Sequence, residues 1–152
     1  MAFKSINKKQ KNYKDIESLF RDLNSKDVES LYSHQSDILR HYQRNAMDKN
    51  NVAIELPTGS GKTLVGLLIA EYRRRKYRER TLFLCPTKQL VNQVVNLSNL
   101  KYGINCIGFT GSRKYFEESD IFKYKNGDAI GVTTYSSLFN SNPFFSDPDL
   151  IV

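Results

Sequence analysis

The run Pro57-Thr58-Gly59-Ser60-Gly61-Lys62-Thr63 constrains this chain more than any other feature. The apolar stretch Val52-Ala53-Ile54 before it reads as a strand. Leu64, Val65, Leu67, Leu68, Ile69 and Tyr72 after it read as an apolar helix. A strand, a glycine turn and a helix in that order form the setting of a phosphate-binding loop. The residue types suit the task. Gly59 and Gly61 permit tight curvature and close backbone approach to an anion. A helix that begins near Lys62 points its positive end at the same place. Lys62 would neutralise the β- and γ-phosphates, and the Thr63 hydroxyl would ligate Mg²⁺. The plain alternative is a glycine-rich turn before a helix. A dinucleotide fingerprint is excluded, because Leu64 stands where its third glycine belongs.

The rest of the chain alternates in the same way. Helical spacing appears in residues 13–24 (Ile16, Leu19, Phe20, Leu23) and in 35–47 (Ile38, Leu39, Tyr42, Met47), with Ser33 or Ser36 available as a cap for the second. Thr81–Cys85 reads as a buried strand, Lys88–Leu100 as a helix and Ile104–Phe109 as a strand. Residues 113–125 read as a short helix, 129–132 as a strand, 136–139 as a brief helix, 140–149 as a loop and Leu150-Ile151-Val152 as the start of another strand. Apolar strands alternating with helices predict an α/β fold: a mainly parallel sheet with helices on both faces, here incomplete. The basic stretch Arg73-Arg74-Arg75-Lys76-Tyr77-Arg78 ends a helix, where cations complement the dipole.

Composition narrows the class. The chain has 152 residues, 39% hydrophobic and 26% charged, which suits one folded domain with a core. A net charge of +7 favours a phosphate-bearing partner, though basicity for solubility alone is common. Cys85 and Cys106 lie in apolar runs and read as buried thiols in a reducing, cytoplasmic setting. No stretch is long enough to cross a bilayer, so no membrane partner is expected. Residues 1–12 are lysine-rich and read as a mobile lead-in. His34 and His41 have no acidic or thiol companions at metal-binding spacing. Tyr115, Phe116, Phe122 and Tyr124, interleaved with Arg113, Lys114, Lys123 and Lys125, have two readings: stacking on single-stranded bases, or covering the sheet edge.

One departure in the phosphate loop is informative. Leu56 stands where the general pattern has its first glycine. The form Pro-Thr-Gly-Ser-Gly-Lys-Thr after an apolar residue resembles motif I of superfamily 2 helicases, the DEAD/DEAH-like group. Leu31-Tyr32-Ser33-His34-Gln35 looks like that family's adenine-recognising segment, with Gln35 as the base reader. Leu84-Cys85-Pro86-Thr87-Lys88-Gln89-Leu90 resembles motif Ia, a strand-to-helix turn against the nucleic-acid backbone. Phe109-Thr110-Gly111-Ser112 looks like motif Ib, and Val132-Thr133-Thr134-Tyr135-Ser136-Ser137-Leu138 like motif Ic.

The resemblance runs from about Leu31 to Val152. It implies the first RecA-like domain of a helicase or translocase, using ATP and Mg²⁺ and acting on DNA or RNA. Residues 1–30 would be a lead-in with a helix, and 31–152 part of an ATP-binding domain. It assigns Gln35 to adenine and Thr58, Gly59, Ser60, Gly61, Lys62 and Thr63 to phosphates, with Lys62 and Thr63 catalytic and Thr63 on the metal. Pro86, Thr87, Lys88, Gln89, Thr110, Gly111, Thr133 and Thr134 would track the nucleic acid. The family's Asp-Glu-x-Asp/His run does not occur in this sequence, nor does a second motor domain. The expectation is therefore ATP binding without efficient hydrolysis by these residues alone. Two other readings stay open: a non-catalytic nucleotide- or nucleic-acid-binding remnant, and a phosphate-loop enzyme acting on a small molecule.

Overall fold

The computed structural model describes residues 11–24, 27–139 and 148–152. Four parallel strands form one sheet: β1 (Thr81–Cys85), β2 (Cys106–Phe109), β3 (Ile130–Thr134) and β4 (Leu150–Ile151), in the order β2-β3-β1-β4. The helices are α1 (Ile16–Asp22), α2 (Ser33–Asn45), α3 (Lys62–Tyr77), α4 (Lys88–Leu97), α5 (Glu118–Lys125) and α6 (Tyr135–Phe139). A π-helical turn, Ser98–Tyr102, extends α4, and a 3₁₀ turn, Arg113–Tyr115, precedes α5.

Side chains alternate across the sheet with a period of two, and the alternation sorts the helices. Phe83, Cys85, Cys106, Ile130 and Val132 face one core, which also holds Ile16, Leu19, Leu39, Leu68 and Val91 of α1 to α4. Leu82, Leu84, Ile107 and Phe109 face a second core with Tyr124, Ile121 and Leu138 of α5 and α6. The sheet therefore carries helices on both faces, as the alternating pattern predicts. Gly131 lets α5 approach closely: a Cβ there would lie 2.8 Å from Tyr124 Cδ2.

The main core reaches well upstream of the sheet. Ile16, Leu19 and Phe20 of α1 are buried against α2 and α3, so this helix is part of the folded body. Asp15 caps α1 by accepting from the Ser18 amide. Lys11, read as lead-in, pairs with Asp22 at 2.9 Å.

Two local expectations are corrected and a third is extended. Val52-Ala53-Ile54 pairs with no strand among the described residues. A strand needs a ladder, and β4, two residues long, bonds only β1 among the described residues. Val52, Ile54 and Leu56 instead line a cleft of about 360 Å³ shared with Gly66, Ile69 and Val152 and with the polar Lys62 and Arg73. The N-cap of α2 is Tyr32 rather than Ser33 or Ser36, with the Tyr32 amide donating to Gln35 Oε1. The arginines at the end of α3 do more than complement a dipole. Glu71, fully buried, accepts from Arg74 and Arg75, and Arg73 makes a two-pronged pair with Glu79. Arg74 Nη1 also donates to the Gly127 carbonyl, tying α3 to the turn before β3. Residues 140–147, read as a loop, and most of the lysine-rich lead-in lie outside the described residues.

Candidate functional site

The phosphate-loop residues form a compact turn that ends in the first turn of α3. Gly59 and Gly61 both have φ of 79°, in the left-handed region that side chains disfavour. The Ser60 amide donates to the Pro57 carbonyl at 3.2 Å, and Ser60 Oγ donates to the same oxygen at 2.6 Å. Gly61 is the N-cap of α3 and has no side chain to accept from the first-turn amides. A helix start left this way presents donors and positive potential to an anion. Thr58, Gly59 and Lys62 are exposed, Thr63 is half-buried and Ser60 is buried. Open space surrounds Gly59, where an added Cβ would meet nothing within 4 Å. The residues thus suit a polyphosphate: amides, an ammonium and a hydroxyl on one open turn.

The start of α2 holds this turn from behind. Gln35 is 2% exposed. Its Nε2 donates to the Ser60 carbonyl at 2.9 Å, while its Oε1 accepts from the Tyr32 amide at 3.0 Å. An amide group has two donor hydrogens and two acceptor lone pairs, so each end keeps one unused. His34 Nε2 lies 3.0 Å from the same Ser60 carbonyl. The carbonyl only accepts, so this nitrogen carries the hydrogen in that contact. The Tyr32 ring stacks on His34, with centroids 5.6 Å apart and planes 16° from parallel. The sequence showed His34 only as a residue without metal-binding companions, next to the Gln35 expected to read the base. Its place beside Gln35 in the first turn of α2 was the available signal.

The remaining expected residues gather on one edge of the sheet. The four described strands are parallel, and the register sets Cys85 opposite Thr134 and Phe109 opposite Thr133. The turns after β1, β2 and β3 therefore leave the sheet side by side. Helix α3 runs back along β1, with Gly66 over Phe83, which brings its N-terminus to that same edge. Ligands of parallel α/β sheets bind at the carboxyl ends of the strands.

Each turn is held differently. Pro86, Thr87, Lys88 and Gln89 are exposed, and Thr87 Oγ1 caps α4 by accepting from the Leu90 amide at 3.2 Å. Gly111 has φ of 81° with open space around it, and Thr110 before it is half-buried. Thr133 is fully buried, and its hydroxyl donates to the Phe109 carbonyl at 2.6 Å. Thr134 is 3% exposed, and its Oγ1 accepts from the Ser137 amide at 3.2 Å. Both of these hydroxyls are engaged within the protein, where they lock the ends of β2, β3 and α6 together.

Parallel strands with helices on both faces, and a glycine turn opening a helix at their carboxyl edge, define an α/β domain of the RecA-like, phosphate-loop class. The chain belongs to the family described as type III restriction enzyme, res subunit (ResIII), whose pattern matches residues 29–150. A solved structure with the same fold is the UvsW helicase from bacteriophage T4, at TM-score 0.64 and 22% identity over 91% of this chain. This chain spans 48% of that helicase chain. No curated protein sequence matches it. The expected kinship with the first RecA-like domain of superfamily 2 helicases therefore holds. Among the described residues, no helix is long and apolar enough to cross a membrane.

Proposed function

We propose that this chain is the ATP-binding part of a nucleic-acid-dependent motor, a helicase or translocase acting on DNA or RNA. The observation that carries the reading is the meeting of two features at one sheet edge. One is the left-handed Gly59-Ser60-Gly61 turn leading into Lys62 and Thr63. The other is the row of turns after β1, β2 and β3.

The amides around Gly59 to Thr63 would take the phosphate oxygens, and Lys62 would neutralise them. Thr63 would supply one oxygen to a Mg²⁺ otherwise held by phosphate and water. The ion would offset charge on the transferred phosphoryl group. Gln35 keeps the turn in shape and has one donor and one acceptor left for an adenine edge. Pro86–Gln89 and Thr110–Gly111 would meet a nucleic-acid backbone through Lys88, main-chain amides and the start of α4. Thr133 and Thr134 would act on that contact by fixing the turns, since their hydroxyls are occupied. Phosphoryl transfer depends on placed acids and cations. The Asp-Glu-x-Asp/His run is not in this sequence, so hydrolysis by these 152 residues should be slow.

Titration of a fluorescent ATP analogue tests the nucleotide part. Binding that needs Mg²⁺ and weakens about tenfold or more in Lys62→Ala is expected, in line with loss of a charged hydrogen bond. Equal affinity in the wild type and the variant would remove the phosphate-site reading. Fast turnover by the chain alone, stimulated by nucleic acid, would refute slow hydrolysis.

A further inference from the structure

Beyond the edge strand β2 lies a feature that the nucleotide site does not use. The 3₁₀ turn Arg113–Tyr115 follows Gly111 after one residue, Ser112, and leads into α5. The aromatic residues here divide into two pairs. Phe116 and Tyr124 turn inward, edge-on to Phe109, at centroid distances of 5.2 and 5.9 Å. Tyr115 and Phe122 turn outward and are 74% and 65% exposed. The inward pair anchors the turn and α5 to the second core and so gives the outward pair a firm base.

An open groove of about 660 Å³ runs along this surface. Its lining includes Arg113, Lys114, Phe122 and Lys125, with Glu118 as the one carboxylate among the described residues. Lys114 Nζ sits 4.8 Å from the centre of the Tyr115 ring, which places a cation against one face of an exposed aromatic. Isolated exposed aromatics are ordinary on protein surfaces. Phe122 lines the groove and Tyr115 lies against its Lys114, and among the described residues the lining holds three cations and one carboxylate. This surface suits a ligand with flat apolar faces and repeated negative charges. A single nucleic-acid strand has both: bases to stack and phosphates to neutralise. A duplex hides its base faces and fits less well.

We propose that Tyr115 and Phe122 form a base-stacking annex for single-stranded nucleic acid, continuing the line of the Thr110–Gly111 turn past the sheet edge. The proposal rests on the nucleic-acid reading above. Arg113, Lys114 and Lys125 hold the phosphates of the strand, and the two rings take its bases. Stacking of this kind tolerates any sequence and either sugar, because every base has a π-face. The annex thus adds grip on a strand without reading it.

The test compares base-bearing with baseless strands on the intact chain. Fluorescence anisotropy would follow oligothymidylate, oligouridylate and an abasic oligomer of equal length. The expected result is tighter binding of the base-bearing strands. Tyr115→Ala/Phe122→Ala should lower that affinity about tenfold or more and leave abasic binding unchanged. Tyr115→Trp/Phe122→Trp should retain it. The unfolding midpoint of the alanine variant should match the wild type, since both rings are exposed. Tight binding of only one of the first two oligomers would contradict stacking that tolerates either strand and would overturn the annex. Equal wild-type affinity for abasic and base-bearing strands, or an alanine variant that weakens both alike or neither, overturns the annex and leaves the nucleic-acid reading in place. Failure of the wild type to bind any oligomer overturns both.

Discussion

The side chain of Gln35 holds the main chain of Ser60: its amide donates to the Ser60 carbonyl at 2.9 Å, inside the protein. The other end of that amide accepts from Tyr32, so one buried group joins the start of α2 to the middle of the phosphate loop. Gln35→Ala would leave the Tyr32 amide and the Ser60 carbonyl short of a partner. An unmade buried hydrogen bond costs about 1–3 kcal/mol. The variant should lose about that much stability in urea unfolding and bind an ATP analogue more weakly. His34→Ala removes a contact to the same carbonyl from an exposed side chain and should cost less. Equal losses in the two variants would contradict the assignment of Gln35 as the principal tether.

The two loop glycines share a φ of 79° but differ in surroundings. Alanine at Gly59 would meet nothing within 4 Å, whereas at Gly61 its Cβ would fall on Gln35 Nε2. The Gln35 side chain cannot simply swing away, because both its ends are bonded. Each substitution carries a left-handed backbone cost of about 1–3 kcal/mol. Gly61→Ala should add loss of the Gln35 bonds, so its nucleotide affinity and thermal midpoint should fall further than those of Gly59→Ala. Calorimetry and binding on the two single variants measure the difference directly.

These contacts show where the sequence is legible. The loop reads clearly because its chemistry is local: glycines, a lysine and a threonine in seven consecutive positions. The strands β1 and β3 and the helices α3 and α4 read clearly because each carries its own apolar pattern. Val52-Ala53-Ile54 has a strand's composition, yet a strand is made by its neighbour, and among the described residues no ladder forms there. The Gln35–Ser60 bond joins residues far apart in sequence, and nothing local to either announces it. The arginine run reads as a dipole complement because the burial of Glu71 depends on α1 and the sheet closing over α3. Thr133 and Thr134 read as surface contacts, but the register that turns them inward is a property of the assembled sheet.

Glu71 is the most deeply placed carboxylate described, with Arg74 almost as buried beside it. Glu71→Ala would strand the Arg74 guanidinium and free one side of Arg75, which keeps its bond to the Tyr13 hydroxyl. Breaking a buried pair on one side costs about 3–5 kcal/mol. The single variant should therefore unfold at much lower denaturant. Glu71→Leu/Arg74→Met replaces both charges with apolar volume and should recover most of the loss. A double variant no more stable than the single one would show that Arg75 or the Gly127 carbonyl, not the Glu71–Arg74 pair, sets the cost.

The junction of β1 and β4 should respond to acid. Arg80 donates to Asp149 from its backbone amide at 2.8 Å and from its guanidinium at 3.0 and 3.2 Å. Hydrogen bonds from the Arg80 side chain, helped by its backbone amide and charge, hold the Asp149 carboxyl below its ordinary value of 3.8. A carboxylate depressed in the folded state stabilises the fold at pH above its unfolded value. That contribution disappears as the pH falls through the folded value. Both side chains are more than a third exposed, so solvent screening limits the effect to roughly 1 kcal/mol or less. Asp149→Asn should therefore be slightly less stable than the wild type at neutral pH. The two should converge at pH values well below 3.8, where Asp149 is protonated in both folded and unfolded chains. Paired urea titrations across that window measure the gap. A difference that persists undiminished in strong acid would mean that asparagine fails for lack of shape, not for lack of charge.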